Sequence, residues 1–486
     1  MKKTAKRIIS LVLCFVMLAG VFAVGVSAEE SYNYVSLGDS TSMGYLLNDY
    51  AYGDREIKGS CKYSVFSMMK NYLEETWKLN NVNAKDLTLL GARPIELRAI
   101  LDEDYSALYC DGSSSTNLGY CDHHIDQYIQ TFTSGKSYEE LHDLYVNAIA
   151  NADLITFDLI MADTKSLFGA FSNPTKYFNC ESYAEMLSVE GHPVLADIAE
   201  DLRATLNKTL GGLGLPAEEL ASFIDGVQRI FYGLCSNYSD VMDLIYKLNP
   251  DVNMIVVGPY NAFDGLCVSV GGIEIELGTI WGIVQSFIEN YAISVDKHCW
   301  RYRYADCPDS IGLLQQSLAN GDFEQYSYVT DTLLKQLLGK NYTTEYDAAK
   351  IGQVKSALSR ACSIRTMPID VMLNGAGDYT KAVFSDSPAE EDYAALGWEV
   401  LQGLANSAGI HPNEQGYVQK FESVKRAFIS PVAANGTHLT RIIDGSVGIV
   451  NNVVGAVFGN RDSIMRIITV IKNIFTPIFR LPSIFG

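Results

Sequence analysis

The chain has 486 residues, 57 of them acidic and 37 basic, with a formal charge of −20 and 48% hydrophobic residues. So acidic a protein argues against nucleic-acid binding, which rests on neutralising phosphates with Lys and Arg. No CxxC spacing occurs and the seven histidines are scattered, which argues against a zinc ribbon or a thioredoxin-type centre. Beside Cys121 and Asp122, His123-His124 form the only ligand-like cluster, and a solvated loop accounts for it. No metal or cofactor is called for.

Lys2, Lys3, Lys6 and Arg7 precede an apolar core from Ile8 to Val26, and Val26-Ser27-Ala28 satisfies the small-residue cleavage rule. Residues 1–28 therefore read as a secretory signal peptide, and the mature protein as extracellular. Cleavage removes four of the 37 basic residues and none of the 57 acidic ones, taking the formal charge from −20 to −24. Export permits disulfides. Cys110 with Cys121, and Cys299 with Cys307, are near enough in sequence to pair. Nine mature cysteines leave at least one thiol without an internal partner.

Tyr34 to Leu37 read as a short buried strand that ends in Gly38-Asp39-Ser40, with Gly44 four residues on. A serine at the carboxyl end of a strand and the start of a helix stands at the mouth of an open α/β sheet, where its hydroxyl can attack an acyl carbon. Helix capping by Asp39 and Ser40 is the plain alternative. Cys61 to Trp77 carries apolar residues at helical spacing. Asp86 to Arg93 reads as a second strand closing at Gly91, and Pro94 to Leu101 as the helix after it. Residues 102–135 are polar and loop-like. A helix over Tyr138–Ala150 leads into a third strand with its exit loop over 152–163. Strand and helix alternating in this way specify a parallel sheet.

Residues 182–248 are helical in pattern apart from a break at Gly211–Pro216. Asn253 to Val257 form a fourth strand, closed by Gly258-Pro259-Tyr260-Asn261. From 262 to 391 no clear sheet strand is evident, and the stretch reads as an inserted helical subdomain or lid. His411-Pro412-Asn413 then opens a helix through Ile429. Residues 431–486 form an apolar, partly amphipathic extension without a clean membrane-spanning run. Its 439–485 part is open to two readings, peripheral contact with a lipid surface or packing on the catalytic domain.

Taken together, Gly38-Asp39-Ser40 after the first strand, Gly91-Ala92 after the second and His411-Pro412-Asn413 before a terminal helix resemble the SGNH/GDSL hydrolases, a family of esterases and lipases. The resemblance spans 34–428 in four short blocks separated by long insertions. It implies an α/β/α three-layer sandwich with a parallel, flavodoxin-like sheet. The hydrolase domain then runs over 29–430, with helical insertions at about 182–248 and 262–391, followed by the helical extension at 431–486. The family's roles carry over to Ser40 as nucleophile, His411 as general base, and the Ser40 and Gly91 N–H groups as oxyanion donors.

Two positions depart from the family pattern. Ala162 stands where the family has an oxyanion asparagine, with Asn261 a neighbouring candidate for the gap and Asp39 and Asp163 further supporting candidates. Ala408 stands where the family has the aspartate that orients the histidine, which leaves a Ser-His dyad unless a carbonyl or a distant carboxylate serves. The implied function is a secreted carboxylic-ester hydrolase acting on a small-molecule ester, an acylglycerol or an acylated carbohydrate. The alternative is a family member weak in or devoid of turnover that serves as a surface-binding or scaffold module.

Overall fold

The computed structural model describes residues 31–50, 59–79, 81–105, 136–161, 192–213, 216–270, 273–289, 296–299, 301–326, 348–363, 366–368 and 411–429, with isolated positions 184 and 293. The signal segment, Cys110, Cys121, His123, His124, Ala162, Asp163, Ala408 and the 431–486 extension lie outside these residues.

Five strands build the main sheet: β1 (Tyr32–Gly38), β2 (Val82–Thr88), β3 (Leu154–Asp158), β4 (Asn253–Val257) and β7 (Arg303–Ala305). Every pairing is parallel and the spatial order is β2-β1-β3-β4-β7. Counting only these five, the order is the doubly wound 2-1-3-4-5, which places the switch point between β1 and β3. The middle strands are covered on both faces, so β3 and β4 read as unbroken apolar runs with little alternation.

Strand pleating separates the two faces. On one face Tyr34 lies in register with Leu154 and donates or accepts a 2.9 Å bond with Thr156, while its ring stacks on Phe66. Phe66 belongs to α1 (Val65–Asn71), which a π-helical turn over Tyr72–Thr76 extends. Helix α9 (Glu414–Ile429) packs beside α1 on this face. The opposite face carries α2 (Pro94–Leu101), α3 (Tyr138–Ala150) and the 32-residue α5 (Ala217–Leu248). There Phe157 meets Tyr238 of α5 edge to face at 5.7 Å. These layers are the expected α/β/α sandwich.

The helical region before β4 consists of α4 (Pro193–Leu210), a 3-10 turn at Gly211–Leu213, and α5. Far from being an appendage, α5 packs directly on α2 and α3 and forms part of the sandwich itself. The expectation of a strandless insertion over 262–391 is corrected. A small second sheet, order β6-β5-β8, joins β5 (Cys267–Val270), β6 (Ile273–Glu276) and β8 (Thr366–Pro368). More important, β7 is the fifth strand of the main sheet. Three residues, one of them Arg303, are too few for a strand period to declare itself in sequence. Helices α6 (Leu277–Phe287), α7 (Leu314–Ala319) and α8 (Ala348–Ser363) supply the helical part of the region.

No disulfide joins Cys299 to Cys307, and Cys307 is a free thiol. The extended β7 lies between them. Cys299 closes a turn on the Asp296 carbonyl before the strand, whereas Cys307 follows it, buried near Lys420 and Asp158. Burial pushes both thiols up to about 12. No described helix is long and apolar enough to cross a membrane.

Phe157 is fully buried between the sheet and α5. Phe157→Ala should lower the unfolding free energy by about 3–5 kcal/mol, measured by urea denaturation.

Candidate active site

The carboxyl ends of the parallel strands share one edge, where open α/β sheets place their ligand sites. Ser40 stands there, two residues beyond the end of β1. No helix begins at it: residues 40–46 form consecutive turns, and among the described residues the next helix starts at Val65 with Ser64 as its N-cap. The reason is local. Asp39 Oδ1 accepts the Thr41 N–H at 2.6 Å, and the Asp39 carbonyl accepts both Ser42 N–H and Ser42 Oγ–H. Gly44 and Leu46 then take left-handed φ values of 76° and 70°, which a helix cannot contain. The turn folds back so tightly that a Cβ on Gly38 would lie 2.1 Å from Ser42 Oγ. Capping is therefore real for Asp39, but it caps the Ser40 turn rather than a helix.

Gly91 lies on the adjoining turn. Leu89 N–H bonds to the Gly38 carbonyl at 2.9 Å, which carries the β1–β2 ladder one step past Thr88. Ala92 N–H then closes on Leu89 O with Gly91 at φ 74°, a left-handed position suited to glycine. A buried Arg93–Glu96 ion pair, in which Glu96 also accepts the Arg93 N–H at 2.8 Å, fixes this turn to the first turn of α2. Among the described residues, neither Ser40 N–H nor Gly91 N–H is donated to another protein group.

His411 is fully buried, and its ring lies 4.7 Å from that of Tyr45, five residues past Ser40. The loop after β7 seats it. Leu314 N–H donates to the His411 carbonyl at 2.8 Å, Leu313 bridges Pro412, and Asn413 N–H donates to the Gly312 carbonyl at 2.9 Å. Asn413 Oδ1 accepts the Gly416 N–H at 2.9 Å, capping α9. No described hydrogen bond joins Ser40 to the His411 ring; α9 is what relates them. Three residues after Asn413, Gly416 leaves no room for a side chain. Then Tyr417 Oη donates to the Ser40 carbonyl at 3.1 Å, and Lys420 Nζ donates to the Thr41 carbonyl at 3.0 Å.

Of the supporting candidates, Asn261 has its amide on the Gly278 carbonyl at 3.1 Å and its Oδ1 on the Phe263 N–H, so it braces the loop after β4. Asp163 lies outside the described residues. Asp39 is buried with Asp158, the last residue of β3, nearby. Burial and then the Asp158 charge push its carboxyl up to about 7, against the opposing pull of Lys420. Ser40 itself is 1% exposed, so Ser40 and His411 are both enclosed.

Sequence reasoning missed Asp158, Tyr417, Lys420 and the 311–314 loop. One signal for Lys420 was available. It falls on the α9 stripe of Tyr417, Val424 and Ala427, all buried, where a lysine has no reason to be unless something inside pairs with it. No protein-family model matches the chain, and no curated protein matches it significantly.

A Cβ on Gly416 would sit 2.1 Å from the Gly312 carbonyl oxygen, a backbone atom. Gly416→Ala should therefore cost about 1–3 kcal/mol, read by chemical denaturation. The Asp39 carboxyl gives a second test. Its folded-state pKa lies above the usual carboxylate range, so its burial subtracts stability as pH rises from about 4 to about 7. Asp296, likewise buried and raised to about 7, acts with the same sign. In denaturation melts between about pH 4 and pH 8, Asp39→Asn should reduce the loss of stability with rising pH without abolishing it.

Proposed function

We propose that the protein is an exported serine ester hydrolase of the SGNH/GDSL type. The observation that carries this reading is the clamp between the Ser40 turn and the helix headed by His411, with Gly91 on the turn of the neighbouring strand. Ser40 Oγ attacks the ester carbonyl while His411 accepts the serine proton, and His411 returns that proton to the departing alcohol. The N–H groups of Ser40 and Gly91, neither engaged elsewhere among the described residues, hold the oxyanion. Water then hydrolyses the acyl-enzyme by the same route in reverse.

With Ser40 and His411 both buried, an acyl group reaches them only when covering side chains shift, the half-buried Tyr45 among them. Such an enclosed site favours an uncharged acyl chain over a bulky charged one. Acylglycerols and acetylated carbohydrate are the substrate classes in view, and lipid contact through 439–485 would suit the first. Without the asparagine donor, turnover is expected to be slow, since one lost oxyanion donor costs about a hundred- to a thousand-fold.

A fluorophosphonate should label the mature protein but not Ser40→Ala. His411→Ala should lower kcat on p-nitrophenyl acetate by about a thousand-fold or more. A wild-type protein that neither labels nor hydrolyses the ester would exclude the hydrolase and leave the binding module.

A further inference from the structure

Beneath the Ser40 turn lies a cluster of ionisable side chains that the proposed reaction does not use. Lys420 is fully buried; its ammonium donates to the Thr41 carbonyl at 3.0 Å and to Thr41 Oγ1 at 3.1 Å, and it pairs with Asp158 Oδ2 at 2.7 Å. The ammonium also stands 5.3 Å over the ring of Tyr260. Asp39, Tyr417 and Cys307 complete the surroundings.

Three features separate this lysine from an ordinary counter-ion. First, it binds the backbone carbonyl next in sequence to the nucleophile, so a shift of Nζ is transmitted to Ser40 through one peptide unit. Second, among the described residues it is the cation paired with Asp158, and its charge also opposes the burial and the Asp158 charge that raise the Asp39 carboxyl. Third, it lies one helical turn beyond Tyr417, which holds the Ser40 carbonyl. Adjacent carbonyls of the turn are thus held by adjacent positions on one helix face.

We infer that Lys420 is a positioning residue for Ser40: its ammonium fixes the Thr41 carbonyl while neutralising Asp158, and so holds the nucleophile turn in register with the helix that follows His411. This rests on the reading of Ser40 as nucleophile, and it adds that the site depends on a buried cation that never touches substrate. A neutral residue at 420 leaves Asp158 uncompensated and the Thr41 carbonyl unpinned. These two consequences can be separated, because Asp158→Asn removes the first and not the second.

The test compares wild type, Lys420→Met and the double variant Lys420→Met/Asp158→Asn. Lys420→Met should lose thermal stability, and the double variant should regain most of it. In both, kcat on p-nitrophenyl acetate should fall about a hundred-fold with KM nearly unchanged, as misplacement of a reacting group predicts. Amide hydrogen exchange of the 34–50 segment should quicken in the stabilised double variant while β3 stays protected. A double variant that recovers wild-type kcat and wild-type exchange overturns the inference and leaves Lys420 a counter-ion only. The exchange result stands whether or not Ser40 reacts. Failure of fluorophosphonate to label wild type sinks the hydrolase reading, and the turn's protection then decides the part played by Lys420.

Discussion

One ammonium group, Lys420 Nζ, sits where three parts of the chain converge: the turn after β1, the end of β3 and the buried face of α9. Taking a lysine and an aspartate out of water costs several kcal/mol for each ion, and attraction repays it only where further hydrogen bonds are made. Here they are made, to the carbonyl and hydroxyl of Thr41. The pair is therefore poor evidence for stability as such. What the pair does structurally is tie α9 to the turn after β1 and to the end of β3 through one ammonium group.

That placement solves a problem of distance along the chain. Ser40 and Tyr417 are 377 positions apart, and the 311–314 loop that seats His411 reaches the same edge by way of β7. A parallel sheet sends every strand exit to one edge, so segments far apart along the chain meet there. Small residues then allow close approach. Gly312 and Gly416 meet at a spacing that no Cβ permits, and the α9 cap sits on the loop after β7 in consequence.

Much of this was legible from residue order. The apolar runs of β1, β3 and β4, the proline opening α2 and the glycine break between α4 and α5 all follow local rules, and the structure places elements there. Ser40, Gly91 and His411 could be read as well, because each lies in a short motif next to a strand or helix end. β7 could not, since it owes its existence to pairing with β4 over three residues. The supposed helix at Ser40 failed for a related reason. Gly44 and Leu46 adopt left-handed backbone, and a leucine gives no warning of that. Nor could the Cys299–Cys307 pairing be settled from spacing, which says nothing of an intervening strand.

The charge cluster shows why the remaining part of the site stayed hidden. Asp158 closes an apolar strand and alone resembles an exit-loop residue, and Lys420 is marked only by the apolar stripe it falls on, which does not name its partner. Strand pleating decides the matter. Tyr34, Thr156 and Asp158 point to the α9 face, whereas Phe157 points to α5. Once that face is assigned, an acidic side chain at the end of β3 must enter the layer between sheet and helix, and the helix must answer it with a cation. Asp39 presses on the same arrangement. Its carboxyl is raised by burial and by Asp158, and Lys420 is the opposing charge. The turn that carries Ser40 thus lies over two buried carboxyl groups, and one ammonium meets both the charge at the end of β3 and the backbone of that turn.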